Sequence, residues 1–460
     1  MPAHCVIRHA HSREGRVAQG RFAPGHLGEL TQVLPFEMVD AALAQTHTVQ
    51  QRLRDLPSRV VVYLLLAGCL FPEVGYLGVW RKLTAGLHEG LDDRPTAVPT
   101  ASALAQARRR VGPAPLRWLF ELLRGPAPGR QHGTRWRGLL VCAIDGTTLT
   151  VPDSPAVGQR FTKQAGHHGG TGYPQLRLLA LVACGTRTVI DAVFGPTTTG
   201  ETTYTPRLLP ALKPGMILLA DRNFAASQLI GQIAATGAEV LVRAKNGRKM
   251  PVLARYRDGS YLSLLGPTRV RVIEAQITIL TSTGRHTGLY RLATTLLDPQ
   301  TYPAAELIRL YHERWEIETA YLELKSTILD GRVLRARTPA GIEQEVYALL
   351  ITYQLLRTAI ADATATRPDL DPDRASFTIA WQTARDQIVQ AAGVIAYTVI
   401  DLVGVIGRHV LAHPLPPRRL RACPRIVKRA ISKYQARGPN IDRASYKATL
   451  DIEILTGASP

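Results

Sequence analysis

Residues 311–325 read YHERWEIETAYLELK, Tyr311 to Lys325, and this stretch decides the fold. At about 100° per residue, Tyr311, Arg314, Glu318 and Lys325 fall within an arc of about 60° on one helix face. Trp315, Leu322 and Leu307 flank that face, while Glu313, Glu316 and Glu323 point elsewhere, as a solvated side would. Glu318 is thus expected to be an unusual carboxylate, lodged among a tyrosine, an arginine, a lysine and apolar neighbours. An Arg314–Glu318 pair at i,i+4 is also a common surface arrangement. Burying such a pair costs desolvation, so apolar neighbours favour a functional reading. Pro303 suits the first helical position, and the helix is expected to run from there to about Leu329.

Upstream the texture is that of strands. GLLVCAID, LRLLALVAC, RTVIDAVFG, GMILLAD and AEVLVRAK are short apolar runs bounded by turn residues. Helical stretches around Tyr204–Leu212 and Ala225–Thr236 interleave them, which together suggests a mixed α/β sheet with part-parallel order. Two of the runs end abruptly in a carboxylate, Asp145 and Asp221, where open α/β sheets place their sites. The ordinary alternatives are a turn at Asp145-Gly146 and a helix cap at Asp221. Between Asn246 and Tyr302 short alternating segments such as RVRVIEAQITIL form a β-rich insertion without a helix of its own. Two strand-end aspartates and one helical glutamate can hold two divalent ions about 3.5–4 Å apart, which activate an attacking water or 3′-hydroxyl and stabilise the leaving 3′-oxygen. Hard oxygen ligands select Mg²⁺ or Mn²⁺ over zinc.

Four regions follow from these patterns. Residues 1–29, with four His and four Arg among scattered Gly, form a loose arm. Residues 30–124 are helical, broken by LDDRPTAVPT (Leu91–Thr100). There Thr100 caps a short helix ending in Arg108, Arg109 and Arg110 before Gly112-Pro113. A short basic helix after a turn can enter a DNA groove, and cations are equally welcome at a solvated helix C-terminus. The linker RGPAPGRQHGTRWRG (Arg124–Gly138) separates it from an α/β region over 138–335. Residues 336–460 continue with helices at Pro339–Ala363 and Ser376–Ala391 and finish in a basic tail.

Composition narrows the class of function. With 460 residues the chain exceeds one ordinary domain. Its 56 Lys and Arg against 36 Asp and Glu give a net charge of +20, which argues for a polyanionic partner, nucleic acid first. Only nine of the basic residues are lysine. Arginine suits bidentate phosphate contacts, although a GC-rich coding sequence yields the same bias. Five cysteines (Cys5, Cys69, Cys142, Cys184, Cys423) without a C-x-x-C exclude a disulfide framework and a thiolate zinc site. The first twenty residues lack a signal-peptide core. The longest apolar run, Val60–Phe71, is too short to span a bilayer and reads as a buried helix. A reduced, soluble, cytoplasmic protein is expected. No P-loop, H-E-x-x-H or G-x-S-x-G is present, which disfavours a P-loop ATPase, a zincin and an α/β-hydrolase.

The spacing Tyr311-x-x-Arg314-x-x-x-Glu318-x-x-x-x-x-x-Lys325 resembles the YREK signature of a large group of bacterial insertion-sequence transposases, as do IDGTT at Asp145 and LADRNF at Asp221. The resemblance covers roughly residues 30–437. It implies an RNase H-like catalytic domain with Asp145, Asp221 and Glu318 as a DDE triad that binds two Mg²⁺ or Mn²⁺ ions, and a β-rich insertion before the glutamate. It implies cut-and-paste transposition: cleavage at the element's terminal inverted repeats, then strand transfer into target double-stranded DNA by a homodimeric synaptic complex in the bacterial cytoplasm, at the nucleoid. Tyr311, Arg314, Lys325 and Arg222 would position phosphates near the cut. The helices carrying Arg108, Arg109 and Arg110 would help bind the ends. PRIVKRAISKY, with Arg425, Lys428 and Arg429, resembles a basic C-terminal patch of the group that can track a phosphate backbone. Some members stack a flipped base on a tryptophan in the insertion. None of the five tryptophans here lies there, and Tyr256, Tyr261 and Tyr290 are the aromatic alternatives. The rival readings are an RNase H-like nuclease or resolvase without strand transfer, and a non-catalytic DNA-binding relic.

Overall fold

The computed structural model describes residues 26–52, 56–85, 98–127, 134–166, 169–282, 284–390, 403–416, 421–422 and 446–455. Most of the expected N-terminal arm, and Arg425, Lys428 and Arg429, lie outside the described residues.

The described residues open with the α-helices α1 (Phe36–Gln45), α2 (Ser58–Leu70), α3 (Tyr76–Thr84), α4 (Ala101–Val111) and α5 (Ala114–Leu123). The apolar run after Val60 is α2, buried along nearly its whole length. Among the described residues no helix is long and apolar enough to cross a membrane. Thr100 caps α4 as its sequence suggests, its hydroxyl accepting from Ala103 N at 3.1 Å, and Gly112 ends the helix at φ +64°.

The sheet is built on β1 (Leu139–Thr150), β2 (Gln175–Ala183), β3 (Val189–Pro196), β4 (Met216–Ala220) and β5 (Glu239–Arg243), with α6 (Ser227–Ala235) between the last two. Their spatial order is β3-β2-β1-β4-β5; the first three run antiparallel, and β4 and β5 lie parallel to β1. This mixed order, with helices on both faces, is RNase H-like. The insertion supplies β6 (Tyr261–Leu265), β7 (Thr268–Thr281) and β8 (Gly284–Thr294); β8 pairs antiparallel with β5, so the insertion extends the same sheet. A strand near the C-terminus, here β9 (Tyr446–Ile454), adds to the far side of β7.

After the insertion come α7 (Ala304–Tyr311), one 3₁₀ turn (His312–Arg314), α8 (Trp315–Leu322) and a π-helical stretch (Glu323–Ile328). The expected single helix is therefore continuous in path but not in winding, being tightened before Glu318 and loosened after it. Then follow α9 (Pro339–Ala365), α10 (Phe377–Gln390) and α11 (Gly404–Ala412).

Strand alternation sorts the core into two layers. Val141, Ala143, Ile217 and Leu219 join one apolar core with α7, α8, α9 and the N-terminal helices. Cys142, Ile144, Leu218 and Ala220 face a second core with α6 and the insertion. The N-terminal helices are thus continuous with the sheet through α9, which packs on α2, α5 and α11.

Candidate active site

The strand register brings the two aspartates together. The last parallel pair between β1 and β4 is Ile144 with Ala220, so the next residues, Asp145 and Asp221, stand side by side where β4 stops. Period-two alternation sends both to the face of Val141 and Ala143, the face covered by α7 and α8. Asp145 is not a strand end, because β1 continues to Thr150 with β2 still alongside. The turn alternative at Asp145-Gly146 falls with that. Asp221 does act as a cap: its Oδ1 accepts from Asn223 N at 2.8 Å and opens the 3₁₀ turn Arg222–Phe224.

Glu318 completes the group from α8. Arg314 lies between the carboxylates, with Nη2 2.9 Å from Glu318 Oε1 and Nη1 3.6 Å from Asp145 Oδ2. Burial pushes the Asp145 carboxyl up to about 7, against a hydrogen bond from Gly146 N and the pull of Arg314; Asp221 and Glu318 push it further. Lys325 Nζ donates to Thr147 Oγ1 at 3.2 Å, two residues beyond Asp145. Arg222 is exposed beside Asp221. Of the expected helix face, Arg314 and Lys325 therefore reach β1 at Asp145 and Thr147, Tyr311 reaches the end of β4, and Glu318 joins them through Arg314. The Tyr311 hydroxyl donates to Ala220 O at 3.1 Å, and burial lifts this phenol to about 12. It ties α7 to β4.

Two expectations about this helix are corrected. Trp315 and Leu322 are 49% and 60% exposed, and the Glu318 side chain is itself 38% exposed, so no apolar wall surrounds it. Glu316 and Glu323 are not solvated but buried. Arg187 Nε reaches Glu316 at 2.6 Å, its Nη1 reaches Glu323 at 3.2 Å and its Nη2 reaches Asp373 at 2.8 Å, while Arg357 also pairs with Glu323. The helix is clamped between the sheet and α9, so its far side is an interior. Glu313, Glu316 and Asp373 offer oxygens all within 4.8 Å of one another, and the Arg187 guanidinium already pairs with two of them, Glu316 and Asp373.

Arg108 also differs from expectation. It is folded inward, pairing with Glu345 of α9 at 3.2 Å and lying 3.8 Å from the Tyr76 ring centroid. Arg109 and Arg110 are exposed on α4. Of the insertion tyrosines, Tyr261 is buried against Glu274, and Tyr256 lies 5.9 Å from the buried Arg271. Tyr290 stacks at 3.9 Å under Arg243, and both bear on the Tyr311 phenol, which places Tyr290 nearest the site.

Tyr321 carries no signal in the sequence beyond its aromatic ring. Its hydroxyl stands inside the sheet, accepting from Ala180 N at 3.0 Å and donating to Asp145 O at 2.5 Å. Asp145 and Ala180 are register partners, so the hydroxyl replaces a ladder contact and binds α8 to the backbone of the aspartate. Tyr321→Phe should destabilise the fold by about 1–3 kcal/mol, read by urea unfolding, since two strand groups lose their partner. Wild-type stability would mean that β1 and β2 close the gap unaided.

Residues 136–355 match the family described as "Transposase DDE domain", and the protein is a transposase, an enzyme acting on DNA. Residues 24–121 match the family described as "Insertion element 4 transposase N-terminal", and the chain belongs to the IS4 family of insertion-sequence DDE transposases. It is 25% identical over 421 residues to "Transposase InsG for insertion sequence element IS4" of Escherichia coli K12, covering 89% of this chain and 93% of that one. It is 28% identical over 200 residues to "Putative transposase InsZ" of the same organism, covering 43% of this chain and 64% of that one. Among solved structures, the piggyBac transposase synaptic complex with hairpin DNA aligns at TM-score 0.43 and 10% identity, over 88% of each chain. A DDE transposase domain implies use of a divalent metal.

Proposed function

We propose that Asp145, Asp221 and Glu318 are the catalytic triad, that they hold two Mg²⁺ or Mn²⁺ ions, and that the chain cuts DNA at its element's inverted-repeat ends and joins those ends to target DNA as a homodimeric synaptic complex. The observation that supports it most is the convergence of three carboxylates from β1, β4 and α8 on one face of the sheet, with Arg314 between them. The donor set fits the ions: it is all carboxylate oxygen, which suits hard divalent cations. Bound there, the ions supply charge neutralisation at the scissile phosphate. Arg314 orients Asp145 and Glu318, so both present their oxygens before DNA arrives. Lys325 lies beside β1 at Thr147 and Arg222 follows Asp221 where β4 stops, and each can take a phosphate oxygen there. Tyr290, within reach of the site and already stacked on Arg243, is the insertion aromatic available to a displaced base.

Purified protein, Mg²⁺ and a plasmid carrying the element's own ends test this. Nicks and linear ends with joined products are expected on a gel. Cutting without joined products would favour a nuclease, and end binding with no cutting would leave only a DNA-binding relic.

A further inference from the structure

We infer that Glu201 is a positioning residue for the cleavage site, setting both aspartates from the face of the sheet opposite α8; this rests on the triad reading above. Glu201 opens the single helical turn Glu201–Tyr204 that follows β3. Alternation along β1 turns residue 146 away from Asp145, toward the face of Cys142 and Ile144. There Glu201 lies against the backbone: a Cβ on residue 146 would stand 2.6 Å from Glu201 Cδ and 2.8 Å from its Cγ. The glutamate thus occupies the volume that a side chain at 146 would need, which explains the glycine next to Asp145. Its Oε2 accepts from Asn223 Nδ2 at 2.8 Å, and Asn223 N donates to Asp221 Oδ1 at 2.8 Å. One carboxylate therefore braces the peptide after Asp145 and, through Asn223, the turn that aims Asp221. Neither contact touches the reacting atoms. Groups that orient metal-binding carboxylates in this way typically change activity or metal affinity about 10–100-fold when removed.

Gly146→Ala and Glu201→Ala approach the contact from its two sides. The new Cβ meets the far end of a flexible side chain, so the fold should survive while the carboxylate is displaced. Each variant should slow end cleavage by about 10–100-fold, and each should need more Mn²⁺ for half of its maximal thermal stabilisation. Binding of an end-bearing duplex without metal should stay unchanged. The double variant should be no worse than Glu201→Ala, because both remove one contact. Asn223→Asp should be impaired by setting a second carboxylate against Glu201. Glu201→Gln combined with Asn223→Asp, which reverses donor and acceptor at the same net charge, should return to within about threefold of wild type. Wild-type cutting and Mn²⁺ response in Glu201→Ala would overturn the inference, as would failure of the reversed pair to recover. Asp145→Asn run alongside separates the two levels. If it too cuts normally, the triad reading has failed; if it abolishes cutting while Glu201→Ala is unaffected, only the positioning role has.

Discussion

Asp145→Asn and Glu318→Gln should each lower strand cleavage by at least about 1,000-fold, since several kcal/mol of charge stabilisation passes through these carboxylates. Both amides keep the shape of the acid, so the loss reads charge and not packing. Their stabilities should diverge. In the fold, burial holds the Asp145 carboxyl near 7, above its ordinary value of 3.8, so the folded chain retains a proton that the unfolded chain gives up between those values. Ionised Asp145 therefore weakens the fold as pH rises from about 4 to 7, and the penalty persists above that. Asp145→Asn escapes it and should melt no lower than wild type at pH 8. Glu318 is more exposed and accepts from Arg314, so Glu318→Gln should shift the melting point little. Gel assays beside thermal melts at pH 5 and 8 check both; a variant that cuts normally removes its residue from the triad.

Arg187→Met should destabilise the fold by about 3–5 kcal/mol, the cost of leaving buried carboxylates without their counter-charge. Arg187 sits between β2 and β3 at φ +56°, a conformation that costs a non-glycine residue roughly 1–2 kcal/mol. Its guanidinium pairs with Glu316 of α8, with Glu323 of the π-helical stretch and with Asp373, so three carboxylates share one cation. Methionine fills the volume but not the charge. The deprived carboxylates would then take up protons more readily in the folded state, so the deficit should widen from pH 5 to pH 8. Adding Glu316→Gln should recover part of the loss, a coupling visible in a double-mutant cycle by urea unfolding. A deficit below about 1 kcal/mol at pH 8 would show that Arg357 alone suffices for Glu323 and that water reaches Glu316.

The sequence was most legible where local pattern and tertiary role agree. The five core strands stand out because a strand covered on both faces is apolar throughout. Asp145 reads as a strand end in the sequence because the following GTTLT is polar, although the strand continues through it. That polarity marks the point where β1 loses β4 as a neighbour while keeping β2. The helix face carrying Arg314, Glu318 and Lys325 was readable because all its members lie on one element. What faces the other side of that helix was not, since Arg187 and Arg357 arrive from distant segments. Arg108 was hidden in the same way by Glu345. Tyr321 and Glu201 are ordinary residue types whose importance lies in what they touch, and touching is decided by register and packing.

The pairing of β9 with β7 bears on how such a chain can be made. β7 receives β8 on one side within a short hairpin and β6 along the first part of its other edge, but the rest of that edge, Ala275–Thr281, is closed among the described residues by the strand at 446–454, well over a hundred positions later. During synthesis the insertion must persist with an open strand edge, a template for pairing with other chains. A fragment ending before Tyr446 keeps that edge permanently. Shortened products of this chain should therefore be caught in aggregates and cleared before they can compete with the full-length enzyme for DNA.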